Sequence, residues 1–452
     1  MGYVLIMSPL DIDSIHGLYR KALPSGFLRR LGRQFGLRRG IYSLGVVVWL
    51  MMRQRLQTNG SLAQTVRELR SPAGRKLLPA CKRVREGLIS AGTGGYCQAR
   101  QNLPIEAVNL MADEIFEHLR AQLRPGCPGL DQPVFLLDGS SIRLAAQGDL
   151  PEHYPPVANQ HGSSHWPVLK IAVLHDAVTG LAMRPRWGPM NGPKACSEQQ
   201  LAVQAMEPLP AGAVLLGDRN FGIFGMAWKA QQRGHPVVLR LTAQRAKKLL
   251  GRALQPGLEE EVVWRPSQWD RRTHPDLPAD AAVSGRLLIC TCPGAREPLL
   301  CLFTTLLLPA AEVAQLYGLR WNVETDLRSL KHVLRLHQWS CRSAAMMEKE
   351  LVLAMAAYNL VRAVMWLAAE RAGVPPRRLS FSAVYGAIEC FLPYLLAAKT
   401  KKTRDRYFEQ MVALAAEYKL PRRRKKRCYP REVWGSGSRF PTRKGCHGKI
   451  EN

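Results

Sequence analysis

Hydrophobic positions along the chain change their period several times. From residue 10 to about 125, apolar residues recur at helical spacing, as in IYSLGVVVWLMMRQRL and LPIEAVNLMADEIFEHLRAQL, with breaks at TNGS and SAGTGGYC. RPGCPGLDQP, from Arg124, reads as a linker. From 133 to 242, short apolar runs alternate with helical stretches. Strands are expected at 133–138, 140–145, 168–175 and 180–187, the last two joined by the turn HDAVTG. A helix near 197–207, a strand ending at Asp218, a helix near 222–233 and a strand at 236–241 follow. Residues 243–308 (VVWRPS, GRLLICTC, PLLCLFTTLL) read as β-rich and interrupted by polar, Pro-containing loops. Helical spacing then runs to 372, with a further apolar segment, FSAVYGAIECFLPYLLAA. The last stretch, PRRRKKRCYPREVWGSGSRFPTRKG, carries too much Pro and Gly for a packed helix.

One helical segment carries a polar stripe. In YGLRWNVETDLRSLK, residues 317–331, Tyr317, Arg320, Glu324 and Lys331 stand at offsets of 0, 3, 7 and 14. At about 100° per residue these fall at roughly 0°, 300°, 340° and 320°, so an α-helix aligns them. Leu319, Val323, Leu327, Leu330 and Leu334 form the adjoining apolar face. A Glu flanked by a hydroxyl, a guanidinium and an ammonium suits a metal ligand whose neighbours grip a phosphodiester. It is equally a pattern that ordinary surface charge pairs produce.

Two further carboxylates change the balance. Asp138 ends the run PVFLLD and Asp218 ends AVLLGD, each a short apolar strand that stops at an acid. Two Asp residues on buried strands and a Glu on a packed helix can hold two divalent cations for an in-line phosphoryl displacement. Without metal, such a trio repels itself and raises its own pKa values. Each Asp alone more often caps a turn.

Together these residues resemble the insertion-sequence-4 family of DDE transposases. Its signature is Tyr, two residues, Arg, three residues, Glu, six residues, Lys, which Tyr317, Arg320, Glu324 and Lys331 match without a gap. LLDGSSI around Asp138 and LLGDRNFG around Asp218 are similar to the other two family motifs, at separations of 80 (218 − 138) and 106 (324 − 218) residues. The resemblance implies an α/β fold: a ribonuclease H-like catalytic core with a β-rich insertion, a helical N-terminal domain before it, and helices and a basic tail after it. The expected divisions are a helical DNA-binding domain at 1–128, the first part of the core at 129–242, the insertion at 243–308, the second part with covering helices at 309–398, and the tail at 399–452. It implies catalysis by Asp138, Asp218 and Glu324 with two Mg²⁺ ions, Mn²⁺ being able to substitute. Tyr317, Arg320 and Lys331 are then expected to orient phosphates, with Arg219 assisting. Trp264 and Trp269 in the insertion are expected candidates for stacking on a base flipped out of the duplex. Implied partners are double-stranded DNA, as transposon ends and target, and a second copy of the chain in a paired-end homodimer.

Composition agrees with a nucleic-acid partner without identifying it. The chain of 452 residues has 64 Lys+Arg against 35 Asp+Glu, a net charge of +29. The ends carry most of it: 17 basic residues against 4 acidic over 1–100, and 17 against 5 over 399–452. Basic ends flanking a near-neutral core suit phosphate neutralisation and an arm that orders on DNA. Arg38, Arg39, Arg53, Arg55 and Arg100 are candidate phosphate contacts. The opening MGYVLIMSPLDIDS has no charged n-region or long h-region, and Asn359 and Arg362 interrupt the apolar stretch 350–368, so a cytoplasmic protein with no membrane span is expected. Eleven cysteines without a paired Cys-x-x-Cys motif suggest reduced thiols. His161 and His165 lie in a Gly/Ser segment and make a poor metal pair. The alternatives are a catalytically inactive DNA-binding relative and a ribonuclease H-like nuclease that cuts without joining.

Overall fold

The computed structural model describes residues 15–421, apart from 38–39, 58–59, 73, 124–125, 128–129, 160–161, 292–298, 337–338 and 340. Arg38, Arg39, His161 and the segment beyond residue 421 therefore lie outside the described residues. Among the described residues, nine strands form one mixed sheet: β1 (Val134–Arg143), β2 (Pro156–Asn159), β3 (Gly162–Asp176), β4 (Arg186–Pro189), β5 (Val214–Gly217), β6 (Val237–Leu241), β7 (Glu259–Trp264), β8 (Val283–Thr291) and β9 (Leu299–Thr304). Their order is β2-β3-β1-β5-β6-β9-β8-β7, with β4 also paired to β3. β1, β5 and β6 are parallel to one another, while β3 and β9 run antiparallel to their neighbours. Val134, Phe135, Leu136 and Leu137 are buried, as are Val214, Leu215 and Leu216, because helices cover both faces there.

Several boundaries differ from the sequence expectation. The segments 133–138 and 140–145 are one strand, because Gly139 and Ser140 keep their pairing with Ala172 and Ile171 on β3. The expected strand at 180–187 is reduced to β4, and Ala182 upstream of it is held by the side chain of Asn359, which both donates to and accepts from its backbone at 2.8 Å. The β-rich stretch is an extension of the central sheet, since β9 pairs with β6 and β8 and β7 follow outward. Two short helices, Ala243–Leu250 and Gln268–Thr273, interrupt it. Part of the expected tail is folded: Lys401–Glu417 is a helix that buries Phe408, Met411, Val412 and Ala415.

The long helix Ala344–Ala372 organises the helical layer. It is long and apolar enough to cross a membrane by composition alone, yet 94% of its most apolar window is buried inside the fold. Helices Leu44–Arg55, Ile105–Leu123, Phe381–Ala397 and Lys401–Glu417 pack on it, and one apolar cluster runs from Ile15 to Ala416. The N-terminal helices thus share a core with the rest. Two of the three described arginines expected as phosphate contacts help to hold that junction. Arg53 is buried beside Glu68 at 3.5 Å, and Arg55 and Arg100 both pair with Glu350 on the long helix. Burial and a carboxylate partner make all three structural rather than available to DNA.

A second buried ion cluster lies under the Asn322–Arg328 helix. Asp326 is fully buried and accepts from Arg362 of the long helix and from Arg377 at 3.0 Å. Burial opposes its charge, but Arg362 and Arg377 outweigh that and hold its pKa below the usual carboxylate range. His175, also fully buried, has no hydrogen-bond partner for either ring nitrogen among the described residues, and burial lowers its pKa to about 4.

Asp326→Ala leaves the buried Arg362 guanidinium without its carboxylate and should cost about 3–5 kcal/mol in urea unfolding; a loss under about 1 kcal/mol would show the cluster to be dispensable. His175 supplies a pH dependence. Below its ordinary pKa of 6.5 the unfolded chain binds a proton that the folded chain refuses until about 4, so this contribution is complete above 6.5 and is lost as pH falls toward 4. Between about pH 7 and about pH 5 the wild type should lose roughly 1–2 kcal/mol more than His175→Gln. Equal losses would remove His175 as the cause.

Candidate active site

Strand register brings the first two carboxylates together. In the parallel pair β1/β5, Leu137 lies opposite Gly217, so Asp138 and Asp218 are the next residues on adjacent strands, whose spacing is about 4.8 Å. Asp138 is not a strand terminus as expected, because β1 continues against β3. It sits where the parallel pairing stops. Its Oδ1 accepts from the Gly139 N–H at 2.8 Å. Asp218 leads into a tight turn in which its Oδ1 accepts from the Asn220 N–H at 2.9 Å and its carbonyl accepts from Gly222 at 2.9 Å. Gly222 is required there, since a Cβ would lie 2.0 Å from the Arg240 carbonyl oxygen.

The signature segment is helical throughout but not one α-helix. Ala310–Gly318 passes through a 3₁₀ turn at Leu319–Trp321 into Asn322–Arg328, and then into a π turn at Ser329–Val333. Ser329 Oγ donates to the Thr325 carbonyl at 2.9 Å, a back-bond of the kind that loosens the following turn. Lys331 therefore departs from the azimuth that uniform α geometry assigns. The apolar face is as expected: Val323, Leu327, Leu330 and Leu334 are buried.

Arg320 stands at the centre of the site. Its Nη2 lies 3.0 Å from Asp218 Oδ2 and 3.7 Å from Asp138 Oδ2, and its Nη1 lies 3.1 Å from Glu324 Oε1. One guanidinium is thus shared by all three carboxylates. Burial pushes the Asp138 pKa up to about 6, with Asp218 and Glu198 adding to the rise and Arg320 and the Gly139 N–H opposing it. Burial works against the charge of Arg320 too, but Asp138, Asp218 and Tyr317 outweigh it and raise its pKa.

The other expected residues fall into two groups. Tyr317 is buried, and burial raises its pKa, with Arg320, Arg240, Asp218 and Arg219 within electrostatic reach. Arg219 is exposed on the Asp218 turn. Lys331 is half-buried, and burial lowers its pKa against an opposing pull from Asp138. Trp264, by contrast, is 7% exposed and packs edge-on against Phe303 at 5.0 Å and Phe224 at 6.2 Å. It ends β7, packed into the core, with an edge on the cavity beside which Trp269 stands. Trp269 is 63% exposed beside a cavity of about 460 Å³ also lined by Arg245, Lys248 and Arg265.

Two residues at the site escaped sequence reasoning. Glu198 opens the Glu198–Ala205 helix and lies against Gly139, where a Cβ would come within 2.7 Å of its carboxyl carbon. Its Oε2 accepts from Asn220 Nδ2, which ties it to the Asp218 turn. The capping box of Ser197 and Gln200 marks the helix start, so an acid in the first turn reads as dipole compensation. Trp321 is 51% exposed, with the Arg320 guanidinium 5.9 Å from its ring centre.

Among the described residues, no three His, Cys, Asp or Glu side chains close on a point tightly enough to hold an ion as they stand. The Arg320 fork fills the space between the carboxylates. In kind, the donors fit a hard divalent cation: they are carboxylate oxygens, and they already surround a cation.

A model of the transposase DDE domain family matches residues 129–360, just over half of the chain. The chain is 27% identical over 419 residues to "Transposase InsG for insertion sequence element IS4" of Escherichia coli (strain K12), covering 90% of this chain and 88% of that protein. A cryo-EM structure of a piggyBac transposase synaptic complex with hairpin DNA aligns over 95% of this chain and 88% of that one, at 10% identity and a TM-score of 0.42. A likeness that loose carries no argument.

The two tryptophans of the sheet extension should separate cleanly. Trp264→Ala should cost about 3–5 kcal/mol in chemical unfolding, whereas Trp269→Ala should stay within about 0.5 kcal/mol. Equal costs would contradict the burial difference.

Proposed function

The chain belongs to the transposase DDE domain family and is a DNA transposase, and from that premise we propose that Asp138, Asp218 and Glu324 are the carboxylates at which DNA is cut and joined. The observation that carries this reading is their convergence on the single guanidinium of Arg320. The strand order β4-β3-β1-β5-β6, antiparallel on one side of β1 and parallel on the other, supports a ribonuclease H-like core.

Members of the family use divalent metal ions, and we propose Mg²⁺, with Mn²⁺ able to substitute. Asp138, Asp218 and Glu324 would hold two such ions, whose chemistry is to activate the attacking oxygen and stabilise the leaving one. Arg320 exchanges its carboxylate partners for a phosphate oxygen pair, since its fork matches both geometries. Lys331 supplies a point charge on the adjoining phosphate, Arg219 extends the positive surface across the Asp218 turn, and Tyr317 packs behind Arg320. Trp269, with the basic side chains around it, is suited to an unstacked base at the transposon end. The cut uses water as nucleophile: its oxygen bonds to phosphorus and the 3′-oxygen leaves with a proton. In the joining step that 3′-hydroxyl attacks a phosphodiester of target DNA and displaces another 3′-oxygen. We propose that the enzyme acts in the cytoplasm as a homodimer on paired ends.

A supercoiled plasmid carrying this reading frame with its native flanks, incubated with purified protein and Mg²⁺, should yield end-specific cuts and joined products. Asp218→Asn and Glu324→Gln should each lower cutting by about 10³-fold or more while DNA binding remains. Cutting by Glu324→Gln at a rate near wild type would remove Glu324 from the site. Binding without cuts in Mg²⁺ or Mn²⁺ would overturn the catalytic reading.

A further inference from the structure

Each aspartate of the site keeps one oxygen on its own backbone and offers the other to the centre. Asp138 Oδ1 accepts from the Gly139 N–H at 2.8 Å, and Asp218 Oδ1 accepts from the Asn220 N–H at 2.9 Å. In both, Oδ2 is the oxygen that approaches Arg320, at 3.7 Å from Asp138 and 3.0 Å from Asp218. The two residues that supply the anchoring N–H groups meet at a carboxylate outside the trio, Glu198. A Cβ at Gly139 would come within 2.7 Å of the Glu198 carboxyl carbon and 3.0 Å of its Oε1, while its Oε2 accepts from Asn220 Nδ2. One oxygen of Glu198 thus faces the Asp138 anchor and the other the Asp218 anchor.

The contact is built from a fixed helix start. Ser197 Oγ accepts from the Gln200 N–H at 3.1 Å, and Gln200 Oε1 accepts from the Ser197 N–H at 2.8 Å, which closes a capping box around the first turn of Glu198–Ala205. Gln199 donates its side-chain amide to the Asn220 carbonyl at 3.1 Å and to Asn220 Oδ1 at 2.8 Å. Consecutive residues of one helix turn therefore hold both ends of the Asn220 amide, although Asn220 is exposed. A half-buried carboxylate beside this trio adds repulsion, so stability alone does not account for it. Successive residues of a strand point to opposite faces, so Glu198, lying on the Gly139 position, is across β1 from the Asp138 side chain.

Deepening the transposase reading, on which this inference rests, we propose that Glu198 is a positioning residue: acting through Asn220 and Gly139, it sets the Asp218 and Asp138 carboxylates so that both Oδ2 atoms address one cation. Arg320 takes that place as the chain stands. When its fork turns to a phosphate, the Oδ1 anchors keep the two Oδ2 atoms aimed at a divalent ion. Glu198 itself is not a ligand, because its Oε2 is committed to Asn220 and its Oε1 packs on the glycine.

Mn²⁺ titrated into the full-length protein, with the free-ion electron paramagnetic resonance signal followed, tests the role; binding that Asp218→Asn abolishes belongs to the trio. That binding should be about 10- to 100-fold weaker in Glu198→Ala, as for other contacts that orient a ligand. In the plasmid assay the Mg²⁺ concentration for half-maximal cutting should rise by the same factor, with cutting recovered at saturating Mg²⁺. Glu198→Gln keeps an oxygen acceptor for Asn220 and should restore most of the affinity. Asn220→Ala should lose a similar factor, and the double variant should be no weaker than Glu198→Ala, since the two act as one unit. If Glu198→Gln is as weak as Glu198→Ala, the charge itself is needed and Glu198 is a ligand instead. Wild-type affinity in Asn220→Ala, or a lower unfolding temperature in Glu198→Ala at unchanged affinity, equally overturns the proposal; Asn220→Ala decides if Glu198→Ala does not fold. If Asp218→Asn removes no Mn²⁺ binding, the metal reading of the trio fails and the positioning role with it. If it removes binding that the Glu198 and Asn220 variants leave unchanged, only the positioning role fails.

Discussion

Asp326, fully buried between Arg362 and Arg377, fixes where the third carboxylate of the site can be. It lies two residues past Glu324 on the same helix. Arg362 projects from the middle of the long core helix, and Arg377 also donates to the backbone carbonyls of Asp176 and Ala177 at the end of β3. One carboxylate therefore ties the Glu324 helix to the helical layer and to the sheet. A buried ion pair of this kind contributes little net stability compared with an apolar replacement, but breaking it is costly. Here its value is placement, because a shift of the helix by one register would carry Glu324 away from Asp138 and Asp218.

The site itself is held in another way, around one shared guanidinium. Arg320 is shared among three carboxylates, and burial lifts Asp138 to about 6. Such a cluster is stable as a fold element only because the surrounding packing over-determines it, and it gains from any further cation. The same side chain that offsets the repulsion is shaped to receive a phosphate. The fold extends the surface beside the site, as β9, β8 and β7 carry the sheet outward to Trp269.

Sequence patterns were legible where local physics dominates. The buried runs at residues 134–137 and 214–216 announced the central strands, and the helical spacing of Val323, Leu327 and Leu330 announced the packed face of the Glu324 helix. They failed where long-range packing decides. Trp264 and Trp269 are five residues apart in similar composition, yet one is packed into the core and the other is open to solvent. Arg53, Arg55 and Arg100 looked like surface charges because their acidic partners, Glu68 and Glu350, are assigned only by folding. Lys401–Glu417 looked like the start of a basic tail because its apolar stripe is interrupted by charge, and contact with the long helix is what makes it fold.

The sequence by itself determined the order and chemical identity of the three carboxylates, the spacing of Tyr317, Arg320, Glu324 and Lys331, and the alternation of elements that carries them. Those properties are local: periodicity follows from dihedral geometry and residue type. Only the tertiary structure decided that Asp138 and Asp218 stand side by side and that Glu198 and Trp321 join them. These depend on strand register and on buried ion pairs between residues far apart in sequence, and no short-range pattern encodes such contacts.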